Sequence, residues 1–253
     1  MTVRKDDRSF GDKINHRLTD EISRHFRPLA IFFIVLPLSF LYRHFKVTWE
    51  WLFPPVTTLE EHVKKTQRVA REVSECPADK IVCSARPPWK NLSTRVVSYK
   101  DSAHRVTTWD LTNVVELKED ELLVRVQPLI ETGTLTRWLI KRGYMLATTL
   151  EIEEATVGGL ALAVGMTTAS HKYGLLGTET VVEWEVVDAS GNLLTVRADN
   201  EHADLFRCLP WSHGSLGILV GLTLKIVKVT PTVAVTYEPF TWRYSYMQRY
   251  REL

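Results

Sequence analysis

Residues 121–144 read ELLVRVQPLIETGTLTRWLIKRGY, and this stretch decides the fold class. ELLVRVQ at 121–127 is apolar-rich and partly alternating, the pattern of a strand, and Pro128 ends it. Residues 132–142 form an amphipathic helix that Gly143 stops. Upstream, Thr58 with Glu61 makes a capping box and opens a helix with Leu59, Val63, Val69 and Val73 on its apolar side; Cys76-Pro77 closes it. Short strands are expected at 81–84, 92–97 and 105–109, the first followed by the rigid turn Ala85-Arg86-Pro87-Pro88. Downstream, strands at 181–187 and 193–196 flank a hairpin turn at Ser190-Gly191-Asn192. A short helix at 202–209 and a final strand at 218–229 follow. Helices and strands are interspersed without a strict βαβ repeat, which predicts an α+β fold.

Composition excludes several classes. The 253 residues carry 32 Lys and Arg against 30 Asp and Glu, a net charge of +2, too balanced to make nucleic acid the default partner. Apolar content of 45% and charged content of 25% rule out collagen, coiled coil and bulk disorder. Three scattered cysteines, Cys76, Cys83 and Cys208, make neither a disulfide scaffold nor a zinc site, and no metal is expected.

The N-terminus differs from the body. Residues 28–42, PLAIFFIVLPLSFLY, are uncharged and strongly apolar. As a helix they span about 22 Å at ~1.5 Å per residue, against roughly 27 Å of hydrocarbon in an endoplasmic-reticulum bilayer. Arg24, His25 and Arg27 precede the run, and Arg43, His44 and Lys46 follow it; these cations reach headgroups from either end. Trp49, Trp51 and Phe53 lie where an interfacial aromatic belt would. A membrane anchor competes here with a core helix and a cleaved signal, and Pro54-Pro55 reads as a stiff linker.

Nine of the twelve glycines fall between 158 and 221: Gly158, Gly159, Gly165, Gly174, Gly177, Gly191, Gly214, Gly217 and Gly221. Clustered glycines build either backbone nests for phosphate or tight turns in a β-rich domain, and spacing alone leaves both open. No GxGxxG follows a strand, and neither GxxxxGK[ST] nor GxSxG is present. Ser212 and His213 are sequence neighbours, which is not triad geometry. Glu151, Glu153 and Glu154 read as a solvated strand edge, and His16, His25, His44, His62, His104 and His202 as scattered surface residues.

Taken in order, these segments resemble the FAD-binding PCMH-type domain of the vanillyl-alcohol-oxidase family, over roughly residues 57–231. The resemblance rests on 121–144, on TVGG at 156–159 with SHKYG at 170–174, on the hairpin VVEWEVVDASGNLLTV, and on DLFRCLPWSHGSLGILVGLTLKI. Within that family CSARPPW at 83–89, TVGGL, SHKYGL and PWSHGSLG are similar to the delta-24-sterol reductases (Diminuto-like).

The resemblance implies a two-subdomain FAD-binding domain at 57–231, behind a leader and membrane segment at 1–55. Residues 232–253 would then be the truncated start of a substrate domain. It implies noncovalent FAD, since no histidine occurs between Ile81 and Tyr99, with NADPH as electron donor and a sterol as substrate. It also implies an endoplasmic-reticulum membrane protein, single-pass or monotopic, with the FAD domain facing the cytosol. The implied cofactor contacts are Ser84 and Arg86; Thr156, Val157, Gly158, Gly159, Leu160, Ala161, Leu162, Ala163, Val164, Gly165, Met166, Thr167 and Thr168; Ser170, His171, Tyr173 and Gly174; and Gly214, Ser215, Gly217 and Ile218. Arg86 either neutralises pyrophosphate or forms a surface ion pair. Trp89 packs either by the adenine or in the core. His171 and Tyr173 either border the flavin or satisfy a buried turn. Ala85, Pro88 and Ala163 stand where the family usually has glycine. Asn91-Leu92-Ser93 is a glycosylation sequon, expected to be unmodified. The implied activity is reduction of the sterol C24=C25 bond; a noncatalytic membrane-tethered flavin domain and a sugar or alditol oxidase are the competing readings.

Overall fold

The computed structural model describes residues 26–86, 102–163, 165–230, 232 and 234–252. The sequence expectations for Pro87, Pro88, Trp89, the sequon, the strand at 92–97 and Val164 lie outside these residues. The chain divides into two compact units between Pro55 and Val56.

The first unit holds one helix, α1 (Phe26–Leu52), with a mean hydropathy of 1.6 over its most apolar window and no burial within the protein. By length and composition it suffices to cross a membrane. At ~1.5 Å per residue, 27 residues give about 40 Å. The helix therefore outruns the apolar stretch and carries Arg43, His44 and Lys46 beyond it. Ile31–Val35 forms a wider π turn just before Pro37. Proline has no N–H and its ring crowds the preceding turn's carbonyl, so a local widening lets the helix continue through it.

The second unit is built on a six-stranded, mainly antiparallel sheet. Its strands are β3 (Val114–Lys118), β4 (Leu123–Val126), β5 (Tyr144–Leu146), β6 (Val181–Val187), β7 (Leu193–Arg197) and β8 (Ile218–Lys228). The order is β3-β4-β8-β6-β7, and β5 pairs with the far end of β8, Leu146 opposite Ile226. Two strands, β1 (Val82–Ser84) and β2 (His104–Val106), make a separate parallel pair. This is the α+β architecture the sequence predicts. The sequence reading does not single out β3 or β5.

The helices of this unit are α2 (Leu59–Ser74), α3 (Thr132–Ile140), α4 (Val157–Ala161), α5 (Ser170–Tyr173), α6 (Ala203–Cys208) and α7 (Arg243–Glu252). The main core lies against the central sheet and includes Val126, Leu135, Leu139, Trp184, Leu222 and Leu224. A smaller core joins Val69 and Val73 of α2 to Val106, Leu111, Val187 and Val220. Glu151, Glu153 and Glu154 sit in turns rather than on a strand, and Glu153 pairs with Arg137 at 2.9 Å.

The capping box is present: Thr58 Oγ1 accepts the Glu61 N–H at 3.2 Å. The buried face of α2, however, is His62, Thr66, Val69 and Val73, while Leu59 and Val63 are 55% and 38% exposed. The expectation that His62 is a surface residue is overturned, because the sheet offers it polar partners. The Asn113 N–H donates to Gln127 Oε1 at 3.0 Å, and Gln127 Nε2 then meets His62 Nδ1 at 3.2 Å. That leaves His62 Nε2–H to donate to Glu185 Oε2 at 2.9 Å, while Arg125 Nε–H donates to Glu185 Oε1 at 2.7 Å. Burial pushes the Glu185 carboxyl up, but the His62 and Arg125 hydrogen bonds, with the Arg125 charge, outweigh it and hold it at about 2. The network explains Gly221, where a Cβ would lie 2.5 Å from Glu185 Oε1. A further clamp, the Arg68 guanidinium forked on Asp110 at 2.9 and 2.7 Å, ties α2 to the segment after β2.

Candidate functional site

Three segments converge between the parallel pair and the central sheet. The first leaves β1: the Ala85 N–H donates to Val106 O at 2.8 Å and leads into Arg86. The second is the glycine turn into α4, stitched to the chain after β4. The Gly158 N–H donates to Pro128 O at 2.8 Å and the Val157 N–H to Ile130 O at 3.0 Å, while Thr156 bridges Glu131. The third is the loop into β8, held by the His213 N–H on Leu162 O at 2.9 Å. Trp211 (φ 69°) and His213 (φ 51°) are non-glycine residues in the left-handed region beside Gly214 (φ 80°). Such conformations cost of order 1–3 kcal/mol each and persist where the surroundings impose them.

A cavity of about 300 Å³ lies between these segments, walled by Ser84, Arg86, Thr156, Gly158, Gly159 and Gly214, among others. A second, of about 680 Å³, adjoins it, and the two share Val82, Gly214, Gly217 and Ile218. The larger one runs between the C-terminal end of α2, the β6–β7 turn at Asp188 and Ser190, and the loop into β8. Together they form an elongated groove with a glycine-rich, cationic narrow part.

The two glycines of TVGG do different jobs. A Cβ on Gly158 would sit 2.5 Å from Pro128 Cβ and 2.9 Å from its Cα, so Gly158 permits close packing on the chain behind it. A Cβ on Gly159 would meet only Thr156 Oγ1 at 2.8 Å and Arg86 Nη1 at 4.0 Å. Gly159 is thus not pressed against backbone, and it shares the cavity wall with Arg86, as a backbone that must approach a ligand does. Burial lowers the Arg86 guanidinium from its usual range, and the charge of Glu131 opposes that. The group stays cationic and is aimed at the glycine turn. A pyrophosphate fits this chemistry, with a first-turn amide, a hydroxyl and a guanidinium around one space.

Of the contacts expected from sequence, Ser84, Arg86, Thr156, Gly158, Gly159, Leu162, Gly214, Gly217 and Ile218 line the narrow cavity, and Ser215 lines the wide one. Val157 and Ala161 are buried behind the turn. Leu160, Ala163, Gly165, Met166, Thr167, Thr168, Ser170, His171, Tyr173 and Gly174 line neither cavity. His171 Nδ1 bonds Thr168 O at 2.6 Å, and the Ser170 Oγ takes the Thr167 N–H at 3.0 Å, so these side chains close their own turn. Sequence reading missed Cys83, Thr108, Pro128 and His213 in the narrow cavity and Cys76, Lys80 and Asp188 in the wide one. Chain spacing carries no signal for them, since the topology alone brings them together. The described residues contain no group of three metal-ligating side chains.

A glycine-rich, cationic cavity thus lies between a parallel strand pair and an antiparallel sheet. Residues 61–197 match the FAD binding domain family, and the chain belongs to it. More particularly, it is similar to the Delta(24)-sterol reductase of Pisum sativum, 35% identical over 221 residues, 85% of this chain and 39% of that one. It is similar also to the Delta(24)-sterol reductase of Homo sapiens, 31% identical over 219 residues, 85% of this chain and 42% of that one. The chain thus spans about two fifths of the length of these relatives. The fold is shared with 6-hydroxy-D-nicotine oxidase from Arthrobacter nicotinovorans, at a TM-score of 0.53 and 18% identity over 64% of this chain and 35% of that one.

Proposed function

We propose that this chain binds FAD noncovalently in the two-part groove and serves as the cofactor half of a membrane-bound sterol reductase. The observation that carries the reading is the cavity of about 300 Å³ that Arg86, Thr156 and Gly159 wall together. In it the pyrophosphate meets the Gly159 amide, the Thr156 hydroxyl and the Arg86 guanidinium. The wide cavity by Asp188 and Gly217 then takes the nucleoside end. When bound, FAD supplies hydride transfer, and the protein orients it and keeps water from it. Ser84 and Gly214 close the narrow part of the groove around the phosphates.

NADPH as donor and the sterol C24=C25 bond as acceptor follow from the similarity to Delta(24)-sterol reductases. The helix Phe26–Leu52 supports placement in a membrane, which we assign to the endoplasmic reticulum with the FAD domain in the cytosol. The test is to purify the full chain in detergent, titrate it with FAD, and record visible absorbance before and after anaerobic NADPH. Saturable flavin binding that Arg86→Ala weakens, followed by bleaching with NADPH, is the expected result. A chain that takes up no flavin overturns the cofactor assignment. Bound flavin that NADPH leaves oxidised overturns the donor assignment alone.

A further inference from the structure

One side chain of the narrow cavity has no part in the contacts derived so far. Thr108 is 3% exposed and forms part of the cavity wall with Ser84, Arg86, Thr156 and Gly159. Its hydroxyl is shut off from water and has no hydrogen-bond partner among the described residues. A buried hydroxyl without a partner is costly, and native folds keep few of them. The indole nitrogens of Trp138 and Trp184 also lack partners, but both rings belong to the main core and line neither cavity. Thr108 differs in having the groove beside it. The backbone around it is held on both sides. From α2, Arg68 Nη2–H donates to Thr107 O at 3.0 Å, the Thr107 N–H donates to the Glu72 carboxylate, and the Arg68 guanidinium forks on Asp110. The Leu111 N–H donates to Thr108 O at 3.0 Å, and Leu111 is itself buried in the smaller core.

We propose that the Thr108 hydroxyl is a phosphate ligand, donating to a pyrophosphate oxygen of the dinucleotide in the narrow cavity. The inference rests on the reading of the groove as an FAD site, and it adds a donor from the parallel pair to those of the glycine turn. The register of that pair sets Ser84 opposite Val106. The chain therefore runs out to Arg86 from β1 and to Thr108 from β2 at the same end of the two strands. Carboxyl ends of parallel strands are where such sheets hold ligands. A threonine hydroxyl can donate or accept. In a cavity that also holds the Arg86 guanidinium the favoured occupant is anionic, so the hydroxyl donates, and a hydrogen bond to a charged oxygen is the stronger kind. The atom left unsatisfied in the flavin-free fold is then satisfied when the cofactor binds.

The test uses the full chain in detergent with Thr108→Val, which keeps the shape and removes the hydroxyl, and Thr108→Ser, which keeps the hydroxyl. In fluorescence titration the FAD Kd of Thr108→Val should rise about ten- to a hundredfold, while Thr108→Ser stays near the parent value. The flavin-free Thr108→Val chain should melt at the parent Tm or above it, because a methyl group replaces a hydroxyl that had no partner. ADP carries the pyrophosphate without the flavin, and its Ki in competition with FAD should rise by the same factor as the FAD Kd. A raised FAD Kd with an unchanged ADP Ki overturns the phosphate assignment, since the hydroxyl then serves the flavin half. A parent-like FAD Kd in Thr108→Val overturns the inference and leaves the FAD site standing. A lowered Tm with an unchanged FAD Kd overturns it too, since the hydroxyl is then held by the protein. A parent chain that takes up neither FAD nor ADP refutes the site itself, and this inference with it.

Discussion

Replacing each glycine of TVGG by alanine separates a packing role from a binding role. At Gly158 the added methyl meets Pro128 Cβ at 2.5 Å, Leu219 Cδ2 at 2.9 Å and Pro128 Cα at 2.9 Å. Overpacking of this kind costs about 1–3 kcal/mol, and contact with backbone places it in the upper half of that range. Better helix propensity returns about 1 kcal/mol. The net loss of about 1–2 kcal/mol lowers Tm by about 2–8 °C for a unit of this size. At Gly159 the only close atom is Thr156 Oγ1, the end of a side chain that rotates away, and the remaining neighbour is Arg86 Nη1 at 4.0 Å. Gly159→Ala therefore keeps or slightly raises the Tm of the flavin-free chain. In the proposed complex the methyl nevertheless fills the space through which a phosphate oxygen would reach the Gly159 amide and Arg86. Losing one hydrogen bond to a charged group removes about 1.5–3 kcal/mol, so the FAD Kd rises about ten- to a hundredfold. Calorimetric melting of the flavin-free chain and fluorescence titration with FAD read the two effects separately. A Gly159→Ala chain that melts normally and binds FAD with the parent Kd refutes the placement of the phosphates.

Three further outcomes follow from the geometry. The Glu185 carboxyl falls from an ordinary 4.5 to about 2 on folding, so it stabilises the fold above the unfolded value and loses that contribution as pH drops from about 4.5 toward 2. The loss amounts to about 3 kcal/mol; acid unfolding of Glu185→Gln, followed by circular dichroism, should lack that slope and start from a lower stability, because Arg125 is left without its counter-ion. Thr58→Ala removes the acceptor of the Glu61 N–H and should cost about 1 kcal/mol in urea unfolding without changing FAD affinity. Gly177→Ala drives a methyl into the Ala161 carbonyl; that backbone cannot yield as a side chain does, and the variant should recover as insoluble protein while Gly143→Ala, in open space but at φ 83°, stays soluble with a modest loss of Tm.

What the sequence discloses divides by range. The Thr58 cap, the stop at Gly143 (φ 83°) and the turn at Gly191 (φ 83°) are local events, and local residue types betray them. His62 is misread because its burial depends on Glu185, 123 residues away, and an amphipathic count along α2 sees only an interrupted apolar stripe. The two glycines of TVGG are indistinguishable as letters; only Pro128 behind one and Arg86 before the other tell them apart. The site list carried over by resemblance takes in both the cavity wall and the self-contained turn around His171, since family motifs preserve backbone shape as well as ligand contact. His213 and Cys83 enter the cavity through a topology that no short motif encodes.

The place of β8 has a consequence for how this chain is made. It is the last strand of the sheet in sequence, yet it pairs with β4, β5 and β6 and so occupies the middle. Until Ile218–Lys228 has left the ribosome, β4 and β6 present open edges with nothing between them. Exposed edges of that kind recruit other strands, and late, long-range pairing folds slowly. Synthesis of the second unit thus has a long interval in which the β3–β4 and β6–β7 pairs stand without the strand that joins them. Chaperone dependence, and sensitivity to translation pauses before residue 218, should be concentrated there.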